Sequence, residues 1–221
     1  MSMAYYDEND PQIIEARELL AEMPSTHLIE TDERKRLRKK IAAELYGDGS
    51  RHKGARSFII LGPPAAGKST FANPIVEQFG ALLIDADVAK ERLPEYEELN
   101  GGIYAGALHK ESSDIKDAVL EQAVEARDDF VYPAVGKTYE YIHELCRLLT
   151  DLDYHVKLIL VDCDVATSVT RAVQRFKKYG RFVDPDYIVN RVDNLPRQTY
   201  DRMKEEGICD EYEEHETSEK T

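Results

Sequence analysis

Basic residues are outnumbered in this chain: 29 Lys and Arg stand against 43 Asp and Glu, a formal net charge of −14. So acidic a chain lacks the footprint a phosphate backbone requires, which argues against a general nucleic-acid binder and leaves only a locally basic groove as a route to one. Long apolar runs are absent as well. No stretch of about 18 apolar residues occurs, so no membrane-spanning helix is expected. The opening Met1-Ser2-Met3-Ala4-Tyr5-Tyr6-Asp7-Glu8 has neither the basic nor the apolar segment of a secretory signal. Cysteine is scarce: Cys146, Cys163 and Cys209 are odd in number and widely spaced, without metal-ligand spacing. They read as reduced thiols of a cytoplasmic protein. No internal repeat or low-complexity tract interrupts the chain.

What remains is 221 residues, 42% hydrophobic and 33% charged, enough for one large domain or a domain with a helical extension. Asp10-Pro11 is a helix start, cap followed by proline at the first helical position. Ile13, Ile14, Leu19, Leu20 and Met23 then recur at helical spacing until Pro24-Ser25-Thr26. A second helix starts near Thr31, with Asp32 and Glu33 in its first turn, and ends by Gly47-Asp48-Gly49. Its middle, Arg34-Lys35-Arg36-Leu37-Arg38-Lys39-Lys40, is either a wet face or a contact for a phosphate-bearing substrate or acidic partner. After a polar linker from Gly49 to Arg56 the rhythm changes. Short apolar runs at 57–61, 81–84, 130–132 and 156–161 read as strands buried on both faces, with a weaker fifth near 208–213. Helical stretches over about 69–79, 112–127, 137–151 and 165–178 separate them. Alternating strands and helices predict right-handed crossovers and a parallel sheet.

The first strand leads into Gly62-Pro63-Pro64-Ala65-Ala66-Gly67-Lys68-Ser69-Thr70, a Walker A pattern with a strand before it and a helix after. The glycines permit a backbone that wraps a phosphate with N–H donors, and the helix directs its positive end at the same anion. Lys68 supplies a point charge for terminal phosphate oxygens, Ser69 a hydroxyl for Mg²⁺, and Thr70 is expected on the base or α-phosphate side. The fold class this predicts is a P-loop kinase-type, three-layer α/β/α domain over 56–221, preceded by an N-terminal helical extension over 1–55.

The second strand ends in Ile84-Asp85-Ala86-Asp87, where ligands of parallel sheets sit. If the strand continues, both carboxylates share a face: Asp85 is assigned to the metal shell and Asp87 to the acceptor hydroxyl. The alternative is that both cap the next helix, which runs from Val88 until Pro94 breaks it. After the fourth strand come Arg171, Arg175 and Arg181. The first two are four apart on one helical face, and Gly180 permits a turn that swings Arg181 inward. Guanidinium forks suit the charge of a moving phosphoryl group.

From about Phe58 to Asp201 these residues resemble the zeta-toxin family of P-loop kinases. The resemblance rests on 62–70, on Ile84-Asp85-Ala86-Asp87 with Leu93-Pro94-Glu95-Tyr96, on His109-Lys110-Glu111-Ser112, and on Arg175 with Gly180-Arg181-Phe182-Val183. It implies that Asp87 activates the acceptor, that Lys68 holds phosphate, that Arg175 and Arg181 clamp the transferring group with Arg171 on the nucleotide, and that Asp117 binds substrate. It further implies ATP or GTP with Mg²⁺, a UDP-amino-sugar acceptor and a small helical antitoxin as partner. One segment departs from the family. Where toxic members carry Glu-Gly-Thr, this chain has Tyr132-Pro133-Ala134-Val135-Gly136-Lys137. Proline and valine supply neither carboxylate nor hydroxyl, while Lys137 adds a cation suited to an acidic acceptor. His109 and Glu111, in a loop entered through Asn100-Gly101-Gly102, are expected at the acceptor mouth. A polynucleotide 5′-kinase and a nucleotide-dependent binding protein remain the rival readings.

Overall fold

The apolar runs become the strands of one sheet in the computed structural model, which describes residues 5–23, 25–48, 52–98 and 101–218. Pro24, the 49–51 part of the expected linker and Asn100 lie outside the described residues. Two helices come first, α1 (Pro11–Glu22) and α2 (Asp32–Asp48). At the start of α1 the Asp10 carboxylate accepts from the Gln12 N–H at 3.0 Å, as an Asp-Pro start requires. The phosphate-loop half follows as β1 (Arg56–Leu61), α3 (Lys68–Phe79) and β2 (Leu82–Leu83). Three short helices, α4 (Ala86–Glu91), α5 (Pro94–Glu98) and α6 (Gly101–Tyr104), lead to the long α7 (His109–Ala126). The chain continues through β3 (Phe130–Ala134), α8 (Tyr139–Asp151), β4 (His155–Asp162), α9 (Val165–Tyr179), α10 (Pro185–Tyr187), α11 (Leu195–Glu206) and β5 (Glu211–Glu216).

The sheet order is β2-β3-β1-β4-β5, and every pairing is parallel. Side chains alternate across it, as the strand period demands. Phe58, Ile60, Val131, Ile159 and Val161 face α3 and pack on Ala72, Phe71, Ile75 and Phe79. Ile59, Leu61, Phe130, Tyr132, Leu158 and Leu160 face the opposite way, onto Ile115 and Val119 of α7, Ile142 and Leu149 of α8, and Tyr200 and Met203 of α11. Ile41 and Ala42 of α2 belong to this same core. Three layers result, with β1 and its loop at the centre. Among the described residues no helix is long and apolar enough to cross a membrane.

Three details differ from the sequence expectations. The fifth strand lies three residues later than the apolar signal near 208, because Glu211–Glu216 is an edge strand whose charges are paired by Lys157, His155 and Arg197. Helix α11 carried no expectation: its apolar stripe is thin, with only Pro196, Thr199, Tyr200 and Met203 buried. Strand β3 runs through Pro133 because β2 leaves it after Val131, so on that side the missing N–H has no ladder partner to lose.

Candidate active site

The cradle between β1 and α3 is shaped by its backbone. A Cβ at Gly62 would stand 2.3 Å from the Val161 carbonyl oxygen at the end of β4, so only glycine fits there. Ala65 (φ 58°) and Gly67 (φ 88°) are both left-handed, a conformation that gathers successive N–H groups into an anion-binding concavity. Gly67 caps α3 without a side-chain cap bond; the Thr70 N–H turns back to Gly67 O at 2.9 Å, and the other first-turn donors point out of the helix end. Neutral hydroxyls brace the loop from outside: Ser168 Oγ donates to Pro64 O at 2.7 Å and Thr217 Oγ1 to Ala66 O at 3.0 Å. Pro63 O closes the turn by accepting from Ala66 N–H at 3.3 Å.

Lys68 lies along this loop, donating to Gly62 O at 2.7 Å and Pro63 O at 2.9 Å. Burial pushes its ammonium down to about 8; Asp85 opposes the shift, and Arg175 and Arg181 add to it. Ser69 and Thr70 stand exposed on the first turn of α3.

The two aspartates do not share a strand face, because β2 ends at Leu83 and the chain turns into α4. Asp85 is the cap of α4, accepting from the Asp87 N–H at 2.9 Å. Burial raises its pKa against the pull of Arg181, Lys68, Lys90 and Lys116. Asp87 sits in the first turn, with one carboxylate oxygen 3.0 Å from Lys90 Nζ and the other in contact with the Arg181 guanidinium. The reach of Arg181 across 94 residues of sequence is the link that closes the site. Arg175 is half-buried, desolvation lowers its pKa, and its Nε is buried with no hydrogen-bond partner among the described residues. An unsatisfied buried donor costs about 1–3 kcal/mol, a cost that a phosphate oxygen beside it removes. Arg171, one turn earlier, instead donates to Thr217 O at 2.7 Å beside Cys163, on the flank of the cradle.

On the other side of Asp85 the structure gathers the expected Asp117, Lys137 and His109 with two lysines that sequence patterns did not single out. Lys90 and Lys116 are buried, and desolvation lowers both, Lys90 to about 8. Lys116 lies 4.0 Å from the Tyr132 ring centre and 3.8 Å from Asp117. Asp117 in turn accepts from the Tyr132 and Tyr141 hydroxyls at 3.2 and 3.3 Å, and those hydroxyls also contact each other. Lys137 sits 4.8 Å from the Tyr187 ring centre. His109 opens α7; desolvation, then Lys90, Lys116, Lys137 and Lys110, push its imidazole down to about 4. A lysine three residues beyond Asp87 and another beside Asp117 were the available sequence signals.

Glu111 is not at the acceptor mouth. It is fully buried between α7 and α2, where Arg34 grips it at 2.7 and 2.6 Å and Arg38 at 2.7 Å. The same arginines account for a third of the basic run, since Arg34 also pairs with Glu95 and Arg38 with Glu30. Helical spacing of four puts both on the buried face. Among the described residues no three or more His, Cys, Asp or Glu converge as a metal site. The hydroxyl of Ser69 and the carboxylate of Asp85 do suit a hard, oxygen-seeking ion such as Mg²⁺ held mainly through phosphate oxygens.

A parallel sheet with the cradle on its central strand, faced by Asp87 and two arginines, defines a nucleotide-dependent P-loop kinase. The zeta toxin family model matches residues 45–218, and the chain belongs to that family. Among curated relatives, the adenylate kinase of Zymomonas mobilis subsp. mobilis is 27% identical over 162 residues, covering 70% of this chain and 67% of that protein. The adenylate kinase of Salinibacter ruber is 29% identical over 167 residues, covering 66% and 78%. Among solved structures, the chain resembles one from the PezAT chromosomal toxin–antitoxin system of Streptococcus pneumoniae, with a TM-score of 0.66 and 18% identity over 84% of this chain and 78% of that one. It also resembles the AvrRxo1-ORF1:AvrRxo1-ORF2 complex with ATP, with a TM-score of 0.64 and 16% identity over 84% and 64%.

Proposed function

We propose that this protein transfers the terminal phosphoryl group of ATP or GTP to a hydroxyl of a small anionic metabolite. The observation that carries the reading is the contact of Asp87 with Arg181 beside Lys68 and Arg175. A carboxylate that can take the acceptor proton is thereby set next to the cations that a moving phosphoryl group needs. The cradle N–H groups and Lys68 hold the donor phosphates. Asp87 has four lone-pair sites and two cation contacts, which leaves room to accept from a hydroxyl. As the acceptor oxygen bonds to phosphorus, its proton passes to Asp87, the bridging P–O bond breaks, and the charge left on the departing diphosphate faces Lys68. Arg175 and Arg181 stay on the transferring group. Mg²⁺, when bound beside Ser69 and Asp85, neutralises phosphate charge.

Lys90, Lys116 and Lys137 gather on the acceptor side, where all three act on His109, and these cations support an acceptor that itself carries phosphate. UDP-amino sugars are the first candidates by family. Incubation with labelled ATP, Mg²⁺ and a panel of these compounds tests the reading. Label should move to one of them, and Lys68→Ala and Asp87→Asn should stop it. Undiminished transfer by Lys68→Ala overturns the assignment. The PezAT likeness supports a small antitoxin partner for this chain too, and co-purification with the product of a neighbouring short gene tests that.

A further inference from the structure

The segment that carries Arg181 belongs to neither a helix nor a strand over residues 180–184, yet Arg181 must be held to a fraction of an ångström if it is to meet a transferring phosphoryl group. Its anchors lie on the N-terminal helix, outside the 45–218 span that the family model matches. Successive side chains of the segment take opposite sides. Arg181 contacts Asp87, and Val183 packs with Ala65 of the cradle around Val169 and Ile188. Phe182 is buried against Ile13 and Ala16 of α1, and Asp184 receives the Arg17 guanidinium as a fork, at 3.1 Å from Nε and 2.7 Å from Nη2. Arg17 also reaches Asp186 at 2.9 Å and the Tyr6 hydroxyl at 2.8 Å. At the N-terminal cap of the helix, Asp10 pairs with Lys177 at 2.5 Å. The chain enters the segment just past Lys177 and leaves it at Asp184, so the first half of α1 lies across it as a strap, held at its cap and at its middle. Seven residue steps, about 10 Å of helical rise, separate the two fastenings. From the side, the Phe182 N–H donates to Gly102 O at 2.8 Å, and a Cβ at Gly102 would stand 2.2 Å from Gly180 O.

We propose that α1 is the positioning element for Arg181, with Arg17 as its principal positioning residue acting through Asp184. This rests on the kinase reading above. The apolar contact of Phe182 sets the depth of the segment, the Arg17 fork sets its register, and Arg181 is thereby presented to Asp87 and the phosphoryl group. The fork matters because two parallel bonds fix an orientation that a single ammonium contact leaves free to rotate.

The test uses the full chain and needs no acceptor: affinity for MgADP with and without aluminium fluoride, a mimic of the transferring phosphoryl group. The wild-type chain should bind MgADP more tightly with fluoride, and Arg181→Ala should lose that gain. Arg17→Ala should lose about tenfold of it while MgADP alone binds within twofold of wild type, and Arg17→Lys should fall between. In an Arg181→Ala background, Arg17→Ala should change nothing further, because its effect runs through the missing guanidinium. A full gain in Arg17→Ala, or an equal loss with Arg181 already absent, overturns the proposal. Should Arg17→Ala fail to fold, Arg17→Lys still decides, because a full gain in that variant counts against the fork. If the wild-type chain shows no fluoride-dependent gain, the kinase reading falls and takes this inference with it. If the gain depends on Lys68 and Arg181 but not on Arg17, this inference alone falls.

Discussion

The donor and acceptor halves of the cleft are built by different means. The donor half is backbone: two left-handed residues, an open helix end, and a loop braced by the hydroxyls of Ser168 and Thr217. Its cations have no carboxylate of their own within the cradle, since Lys68 rests on carbonyl oxygens and the Arg175 Nε has no partner among the described residues. The acceptor half is side chains, and its lysines are already matched: Lys90 with Asp87, Lys116 with Asp117 and the Tyr132 ring, Lys137 with the Tyr187 ring. A site of the first kind binds any triphosphate of the right shape. A site of the second kind must exchange existing partners for new ones, which is how one acceptor is told from another.

The sharpest way to break the donor half is Lys68→Ala. Its ammonium lies along the cradle on the Gly62 and Pro63 carbonyls, and loss of a charge aimed at a developing oxyanion costs on the order of 3–4 kcal/mol. Single-turnover transfer should fall by a factor on the order of 10²–10³, with thermal unfolding little changed. Asp87→Asn should lose a similar factor, and MgADP binding should survive it, because Asp87 contacts cations rather than the loop. The next largest effect belongs outside both halves. Glu111→Ala leaves the Arg34 and Arg38 guanidinium groups facing a fully buried gap, and breaking such a pair costs about 3–5 kcal/mol. For a domain of this size that is a fall of roughly 6–20 °C in Tm, readable by calorimetry. Chemistry measured at low temperature on the folded fraction should persist. Loss of transfer without loss of stability would put Glu111 back in the site.

Contiguous features were legible in the sequence. The cradle at 62–70 is nine adjacent residues whose spacing is its function, and the four apolar strand runs landed within a residue or two because buried parallel strands need little else. Features assembled from distant segments were not, apart from the approach of Arg181 to Asp87, which the turn at Gly180 and the family resemblance pointed to. Glu111 looked like a cleft residue because it follows His109 by two, but the face of α7 it takes is set by where α2 docks, and the Arg34/Arg38 spacing signalled that only in hindsight of the contact. Asp85 and Asp87 looked like strand neighbours until the strand proved to be two residues long, and Asp85 became a helix cap. The thin apolar stripe of α11 and the role of Arg17 were hidden for the same reason: tertiary partners, not local pattern, decide them.

The two halves should also separate by pH. Lys68 titrates at about 8 in place of its ordinary 10.5, with Asp85, Arg175, Arg181 and Cys163 as its electrostatic neighbours. Triphosphate affinity should therefore weaken as pH rises past 8, approaching tenfold per unit, and Lys68→Arg should flatten that slope. Stability should move the other way. The unfolded chain keeps its proton up to about 10.5 and the folded one releases it near 8, so between those values the unfolded state binds more protons and stability rises with pH. Lys90 contributes in the same direction. An affinity that is flat from pH 7 to 9.5 would mean that Lys68 is not the phosphate ligand.

The smallest expected effect is the one that sharpens the acceptor half. Asp117 is held by two tyrosine hydroxyls, one from β3 and one from α8, and lies beside a buried ammonium. Asp117→Asn keeps the shape and removes the charge that Lys116 is matched to. If Lys116 serves an anionic acceptor, freeing it from its carboxylate should strengthen ground-state binding of that anion by a few-fold and lower KM, while kcat falls because the acceptor is held in the wrong register. If Asp117 instead bonds the acceptor directly, as its family position implies, KM should rise about tenfold with kcat less affected. Initial rates across acceptor concentration distinguish the two. The sign of the KM change thus tells whether the carboxylate belongs to the acceptor or to the lysine that meets it.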